Sequence, residues 1–139
     1  MALLHVSGRY PFINGITGKD LSLPLLAILG DVDDPRATTI LCGHVEDENW
    51  LSRYNAIAAL RRRNDTASRP CIERALGDLN LVVRAEAIKA ISRWDANRAL
   101  SLYQQLLDAE GLTPLLRSEA HAAIGDLRAG LPVREPWDR

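Results

Sequence analysis

The sequence predicts an all-α solenoid of about three tandem helical hairpins behind a degenerate N-terminal cap. Three observations carry that prediction. Helix-capping residues recur in register, apolar stripes at helical spacing follow each cap, and aspartates punctuate the chain at nearly constant intervals. Asn49, Asn80 and Thr113 form the first column, and each side-chain oxygen can accept an otherwise unsatisfied N–H at a helix start. Arg53, Arg84 and Arg117 follow four residues later. Then come Ala56, Ala87 and Ala120, then Ala59, Ala90 and Ala123, then Leu60, Ile91 and Ile124. Steps of three and four put these side chains on one helical stripe. By subtraction along the first column the period is about thirty-one to thirty-three residues, the range of stacked repeat architectures.

A second periodic stretch precedes each of these helices. Asp34, Asp65 and Asp95 open it, and Asp47, Asp78 and Asp108 close it. Between them Leu41, Ile72 and Leu102 align, as do Val45, Leu76 and Leu106. Each unit therefore reads helix A, a short acidic turn, helix B. Neither helix can bury its stripe alone, so neighbouring units must stack into one continuous core. The alanines on the B stripe let helix axes approach closely.

In chain order, Met1 to Lys19 is broken by Gly8, Pro11, Asn14-Gly15 and Gly18, which leaves room for a short helix at Ala2–Val6 and then an irregular loop. Leu21–Gly30 reads as the B helix of a degenerate leading unit, with Leu25, Leu26, Ile28 and Leu29 on its stripe and Pro24 tolerated in its first turn. Its nearly all-apolar composition predicts cover on several sides, part of it from the N-terminal loop. Helix A of the first full unit spans about Pro35–Val45, with proline at the first helical position, and helix B spans Asn49–Arg63. The single domain of residues 1–139 thus divides into a cap and partial repeat (1–33), three repeats (34–64, 65–94 and 95–127) and an extended tail (128–139). Gly130, Pro132 and Pro136 keep the tail from continuing the helix.

The run Asp78-x-Asn80-x-x-Val83-Arg84-x-x-Ala87-x-x-Ala90-Ile91 resembles the HEAT repeat in its short form, as in the phycobilin-lyase-like HEAT repeats. The resemblance extends from Asp34 to about Leu127 and is strongest in the middle unit. In the first unit Ser52 stands where the valine is expected. In the third, Ala109–Pro114 carries two extra residues and Leu116 precedes the arginine. The resemblance implies a right-handed α-solenoid and a polar ladder along the stack, Asp47, Asp78 and Asp108 with Arg53, Arg84 and Arg117. Thr113-Pro114-Leu115 is similar to an ankyrin opening but occurs once and lacks the following histidine. The Trp, Gly and Tyr pattern of tetratricopeptide repeats is absent from the A helices.

The chain of 139 residues has a net charge of −1, which argues against a dedicated nucleic-acid or membrane-surface protein. No apolar run is long enough to span a bilayer, and the N-terminus lacks the features of a signal peptide. Cys42 and Cys71 fall in the A helices of adjacent units. An isolated pair without a secretory signal reads as two reduced, packed thiols and a cytoplasmic protein.

His5, His44 and His121 do not lie at metal-ligand spacing from one another or from a suitable acid. His121 shares the column of Ile57 and Ile88, so it is expected to be partly buried. No phosphate loop, nucleophile elbow or Cys–His arrangement occurs. The reading is non-enzymatic, with no cofactor and no metal. Trp50 and Trp94, at the ends of B helices, would seal ends of the core, while Trp137 would dock on the last unit or anchor a partner.

Charge is unevenly placed, acidic from Asp31 to Glu48 and basic from Arg53 to Arg74. Arg62 and Arg93 read as one basic strip that accepts an acidic partner, since guanidinium suits carboxylate or phosphate. Opposite the alanine stripe the B helices offer Asn55, Ala58 and Arg62, then Glu86, Lys89 and Arg93, then Glu119, Ala122 and Asp126. On a solenoid the concave face, here the B-helix side, is the usual binding surface. The alternative is a solvated face whose i,i+3 and i,i+4 pairs are worth a few tenths of a kcal/mol each. The expected function is non-catalytic binding of another protein on that face. Compact HEAT-like proteins of this size resemble bacterial adaptors and toxin-immunity proteins. Two alternatives stay open: a lyase- or chaperone-like protein handling a bilin-type chromophore, which needs a reactive cysteine or acid in a pocket, and a binder of nucleic-acid backbone.

Overall fold

The computed structural model describes residues 23–138. The expected helix at Ala2–Val6, the loop to Lys19, the start of the Leu21–Gly30 helix, His5 and Arg139 lie outside the described residues. Seven α-helices follow in order: α1 (Leu23–Leu29), α2 (Pro35–Gly43), α3 (Trp50–Arg63), α4 (Arg69–Ala75), α5 (Leu81–Ile91), α6 (Ala96–Leu107) and α7 (Pro114–Arg128). A 3-10 turn at Thr66–Ser68 leads into α4, and another spans Pro136–Asp138. No strand occurs among the described residues. The fold is the expected all-α repeat stack, with α2, α4 and α6 as A helices and α1, α3, α5 and α7 as B helices.

The capping columns start the helices they mark. Asn49, Asn80 and Thr113 cap α3, α5 and α7 by accepting backbone N–H groups of Leu51, of Val82 and Val83, and of Leu116. Asp34, Asp65 and Asp95 do the same for α2, the Thr66 turn and α6, accepting from Arg36, Ser68 and Arg98. Each such cap is worth about 1 kcal/mol. The turn aspartates Asp47 and Asp78 act one step earlier, accepting the amides of Asn49 and Asn80 and so presenting the capping residue.

Packing follows the alanine columns. Ala56, Ala59, Ala87 and Ala90 are fully buried, with Leu26, Leu29, Ile57, Leu60, Ile88 and Ile91 around them. The most extensive helix contact is α3 against α5, and α3 also packs closely on α1. B helices therefore form the spine. The junction of α5 with α7 is much thinner, and α7 leans mainly on its own A helix, α6.

Long arginines tie the units together around this spine. Arg63 clamps the leading unit to the first, its guanidinium donating to the carbonyls of Leu29, Val32 and Asp34 and to the Thr38 hydroxyl. The ladder implied by the HEAT resemblance forms at one rung. Arg53 donates to both carboxylate oxygens of Asp78 at 2.8 and 3.1 Å, and to the Asp47 and Glu48 carbonyls. Arg84 instead turns back to the Asp78 carbonyl, and Arg117 reaches the Leu107 carbonyl at 3.5 Å. Asp108 serves as the C-terminal cap of α6. The extra residues of Ala109–Pro114 and the thin α5–α7 junction account for the missing upper rung.

Three expectations need correction. Cys42 on α2 and Cys71 on α4 are joined in a disulfide with a Cα–Cα distance of 5.5 Å, so they are not two reduced thiols. Their separation of 29 residues is close to one repeat, which is why stacking sets them side by side. Structural disulfides are rare in the cytosol, so the cytoplasmic expectation loses its premise. No helix among the described residues is long and apolar enough to cross a membrane. His121 is exposed, because among the described residues no further unit stacks on that side of α7. The buried histidine is His44, 1% exposed at the end of α2, with its Nδ1 3.4 Å from an Asp47 oxygen. Of the tryptophans, Trp94 packs against the core and holds the Arg69 guanidinium 4.9 Å from its ring centroid, whereas Trp50 is exposed.

The disulfide closes a loop of about one repeat, and chain-entropy arguments give such a crosslink roughly 3–4 kcal/mol. The double substitution Cys42→Ser/Cys71→Ala is expected to lower the urea unfolding free energy by about that amount, with helical circular dichroism retained before the transition. An unchanged midpoint would show that the bond is not made.

Candidate functional site

The outward side of the B helices is where the sequence places a binding surface, and the structure fills much of it from within the chain. Helix α7 is capped by Ala129 and followed by Gly130, whose φ of +74° suits glycine. The Gly130 amide donates to the Leu127 carbonyl and the Leu131 amide to the Asp126 carbonyl, the paired bonds of a Schellman turn. That turn reverses the chain. Residues 131–135 carry no regular secondary structure and run back over the B helices instead of projecting away as a free tail.

Two adjacent side chains fasten this segment. Arg134 donates through its backbone amide and its guanidinium to the Asp126 carboxylate on α7, at 3.0 Å and at 2.8 and 3.0 Å. Glu135 lies between Arg61 of α3, at 3.2 Å, and Lys89 of α5. Arg61 in turn donates from Nε to Glu86 on α5. The chain of charges Glu86, Arg61, Glu135 and Lys89 thus crosses two B helices and the returning segment. Glu86 and Asp126 are only 7% and 2% exposed, values that a bare solvated face would not give.

The electrostatics follow the geometry. Burial pushes the Glu135 carboxyl up, but the hydrogen bond and charge of Lys89, joined by Arg61, outweigh it and hold the group below its ordinary value of 4.5. Burial likewise works against the Arg61 guanidinium, yet Glu86 and Glu135 keep it above its usual range. Tyr54 is raised, first by burial and then by the charge of Glu86.

The nine residues expected on this face fare differently. Glu86, Lys89 and Asp126 meet at the docked segment, and Glu86 and Asp126 are buried there rather than solvated. Asn55, Ala58 and Ala122 are half-buried, while Arg93 and Glu119 are exposed. Asn55 donates to the Leu51 carbonyl of its own helix. Arg62 turns toward the leading unit, donating to the Ala27 carbonyl and lying 3.7 Å from Asp31. Arg62 and Arg93 therefore do not form one strip. Arg61, absent from the expected set, is the central cation. Its position one residue before Arg62 in a run of three arginines gave no means of choosing among them.

Between the segment and the helices lies a cavity of about 520 Å³, within the range of ligand sites. Arg61 and Lys89 line it from the helices, Arg93 from the turn after α5, and Pro132, Arg134 and Asp138 from the segment. A second hollow of about 330 Å³ sits beside the Arg53–Asp78 rung. Residues 44–125 match the family model described as HEAT repeats. No curated protein and no solved structure matches the chain.

Glu135 supplies a pH handle. Its carboxyl is depressed in the docked state, so its contribution is complete above the ordinary value of 4.5 and is lost as pH falls through the lower, docked value. In nuclear magnetic resonance titrations the Leu131 and Arg134 amides should shift toward undocked positions with a midpoint below 4.5, and Glu135→Gln should abolish that transition. A midpoint above 4.5 would contradict the assignment.

Proposed function

The chain belongs to the HEAT-repeat family, and we propose that it is a non-catalytic protein-binding module whose partner sits on the B-helix face between α3 and α7. One observation carries this reading. Three successive B helices each contribute a charged side chain, Arg61, Lys89 and Asp126, to one short irregular segment held through Arg134 and Glu135. The surface is thus of a kind that accepts an extended polypeptide by its side chains. Asn55, Ala58, Arg93, Glu119 and Ala122 surround that seat and extend the proposed contact area, with Arg62 at its edge.

The competing readings have less support. A chromophore lyase would need a reactive thiol or acid in a pocket, and Cys42 and Cys71 are consumed in a disulfide between A helices. A nucleic-acid backbone binder would need a run of available cations. Arg61, Arg62 and Arg63 instead serve Glu86, the Ala27 carbonyl and the carbonyls of Leu29, Val32 and Asp34. An adaptor or immunity role is one version of this proposal, its partner being a protein made by the same cell.

A photo-crosslinking residue at Arg93, on the B side, is expected to capture one defined protein in the producing cells. The same residue at Gln104, exposed on α6, should capture none. Arg93→Glu should weaken retention of that protein about tenfold, or roughly 1.4 kcal/mol. Equal capture from both positions, or from neither, would end the proposal.

A further inference from the structure

We infer that residues 131–138 are a displaceable internal ligand of the B-helix face, and that the partner is an extended segment whose acidic side chain replaces Glu135 between Arg61 and Lys89. The inference rests on the protein-binding reading above and names the chemistry that the face selects.

Three features support it. First, the segment is held by charge and by little apolar contact. Val133 is its one described hydrophobic residue packed against the core, while Leu131 is exposed and Trp137 is 79% exposed. Its ion pairs leave Arg61, Lys89 and Glu135 no more than 22% exposed, so the hydration each charge regains on release, with the chain entropy recovered, offsets much of the attraction.

Second, the receiving side is built independently of the segment. The Arg61–Glu86 pair links α3 to α5 beneath it, fixing the guanidinium whose Nη1 faces Glu135. Lys89 stands one helical turn beyond Glu86 on α5, with its Nζ on the second Glu135 oxygen. With the segment withdrawn, Arg61 and Lys89 would face the place Glu135 now holds with Glu86 the one acid beside them on α3 and α5, while Asp126 on α7 would be left for a cation in place of Arg134. That balance favours a carboxylate-bearing occupant, and a carboxylate taken between two cations matches the geometry of both.

Third, the segment underfills its seat. The cavity of about 520 Å³ beneath it leaves room for side chains larger than the prolines and valine that now pass over it. The cavity wall outside the segment is polar and charged, Arg61, Asn64, Lys89, Ser92 and Arg93, so a longer segment can keep the same charge contacts and add polar ones, which gives a partner the means to win the exchange.

The test uses a fluorescent synthetic peptide of residues 130–139 against two full-length proteins, the wild type and Arg134→Ala/Glu135→Ala. Fluorescence anisotropy should show binding to the double variant at least tenfold tighter than to the wild type, whose own segment competes. Changing Arg134 of the peptide to Ser should weaken binding by removing the Asp126 pair, and changing its Glu135 to Lys should abolish it. High salt should weaken the interaction. Equal affinity for both proteins, or indifference to the charge at peptide position 135, overturns the inference.

Hydrogen exchange of the wild type guards against a variant that fails to fold. The Leu131 and Arg134 amides, both bonded to Asp126, should exchange at least a hundredfold faster than amides inside α5. Exchange at the same rate would make the segment a permanent part of the stack and sink the idea. If wild-type chains form a dimer that the peptide dissolves, the occupant is a second copy and the acidic-partner assignment falls. Should the peptide fail while crosslinking at Arg93 still captures a protein, only the internal-ligand inference is lost; failure of both removes the function itself.

Discussion

The close approach of successive B helices is the constraint on which the rest of the molecule depends. Ala56, Ala59, Ala87 and Ala90 are fully buried where α1, α3 and α5 meet. Only small side chains allow backbones that near. Gly30 sharpens the point at the end of α1. A Cβ there would lie 3.1 Å from the Ala59 Cα and inside the Arg62 guanidinium. With the axes so close, an arginine in the last turn of α3 is long enough to reach the helix on either side. Arg63 and Arg62 reach back to carbonyls at the end of α1, and Arg61 reaches forward to Glu86 on α5. A basic run that looks like a surface patch in the sequence is therefore mostly internal wiring.

The A helices are joined by other means. Disulfide Cys42–Cys71 links α2 to α4, the Thr38 hydroxyl donates to Asp65 across the same junction, and a two-point pair of Arg98 with Glu73 links α4 to α6. Each contact joins side chains 25 to 29 residues apart, somewhat less than one repeat. These are the residues that stacking brings together, so the repeat period predicts which distant positions become neighbours. The exposed Arg98–Glu73 pair adds little energy, whereas the disulfide restricts the unfolded chain.

The end of the stack is where periodicity stops being a guide. Among the described residues no further B helix stacks on α7, and His121, in the column of the buried Ile57 and Ile88, faces solvent. Asp126 would be exposed for the same reason. It is buried because Gly130 turns the chain back and Arg134 closes over it. The returning segment thus does for the last unit part of what a further repeat would do, while keeping the polar, loosely packed character of something that can leave.

Much of the fold was legible in the residues themselves. Asn and Asp at helix starts, alanine and branched aliphatics at steps of three and four, and a period near thirty-two residues specify hairpins and their stacking, because those signals arise from contacts within a helix and between equivalent positions of adjacent units. Gly130 marked the end of α7 as surely as its neighbouring prolines did. The sequence was silent on which arginine of Arg61, Arg62 and Arg63 points to the B-helix face, and although it put Cys42 and Cys71 on adjacent A helices it did not show that they would bond. It did not reveal that Glu135 and Arg134 return to Lys89, Arg61 and Asp126 either. Those outcomes depend on a turn handedness at a single glycine and on distances across helices that no local pattern encodes. Local chemistry chose the helices, and only their arrangement in space decided which charges meet on the B-helix face.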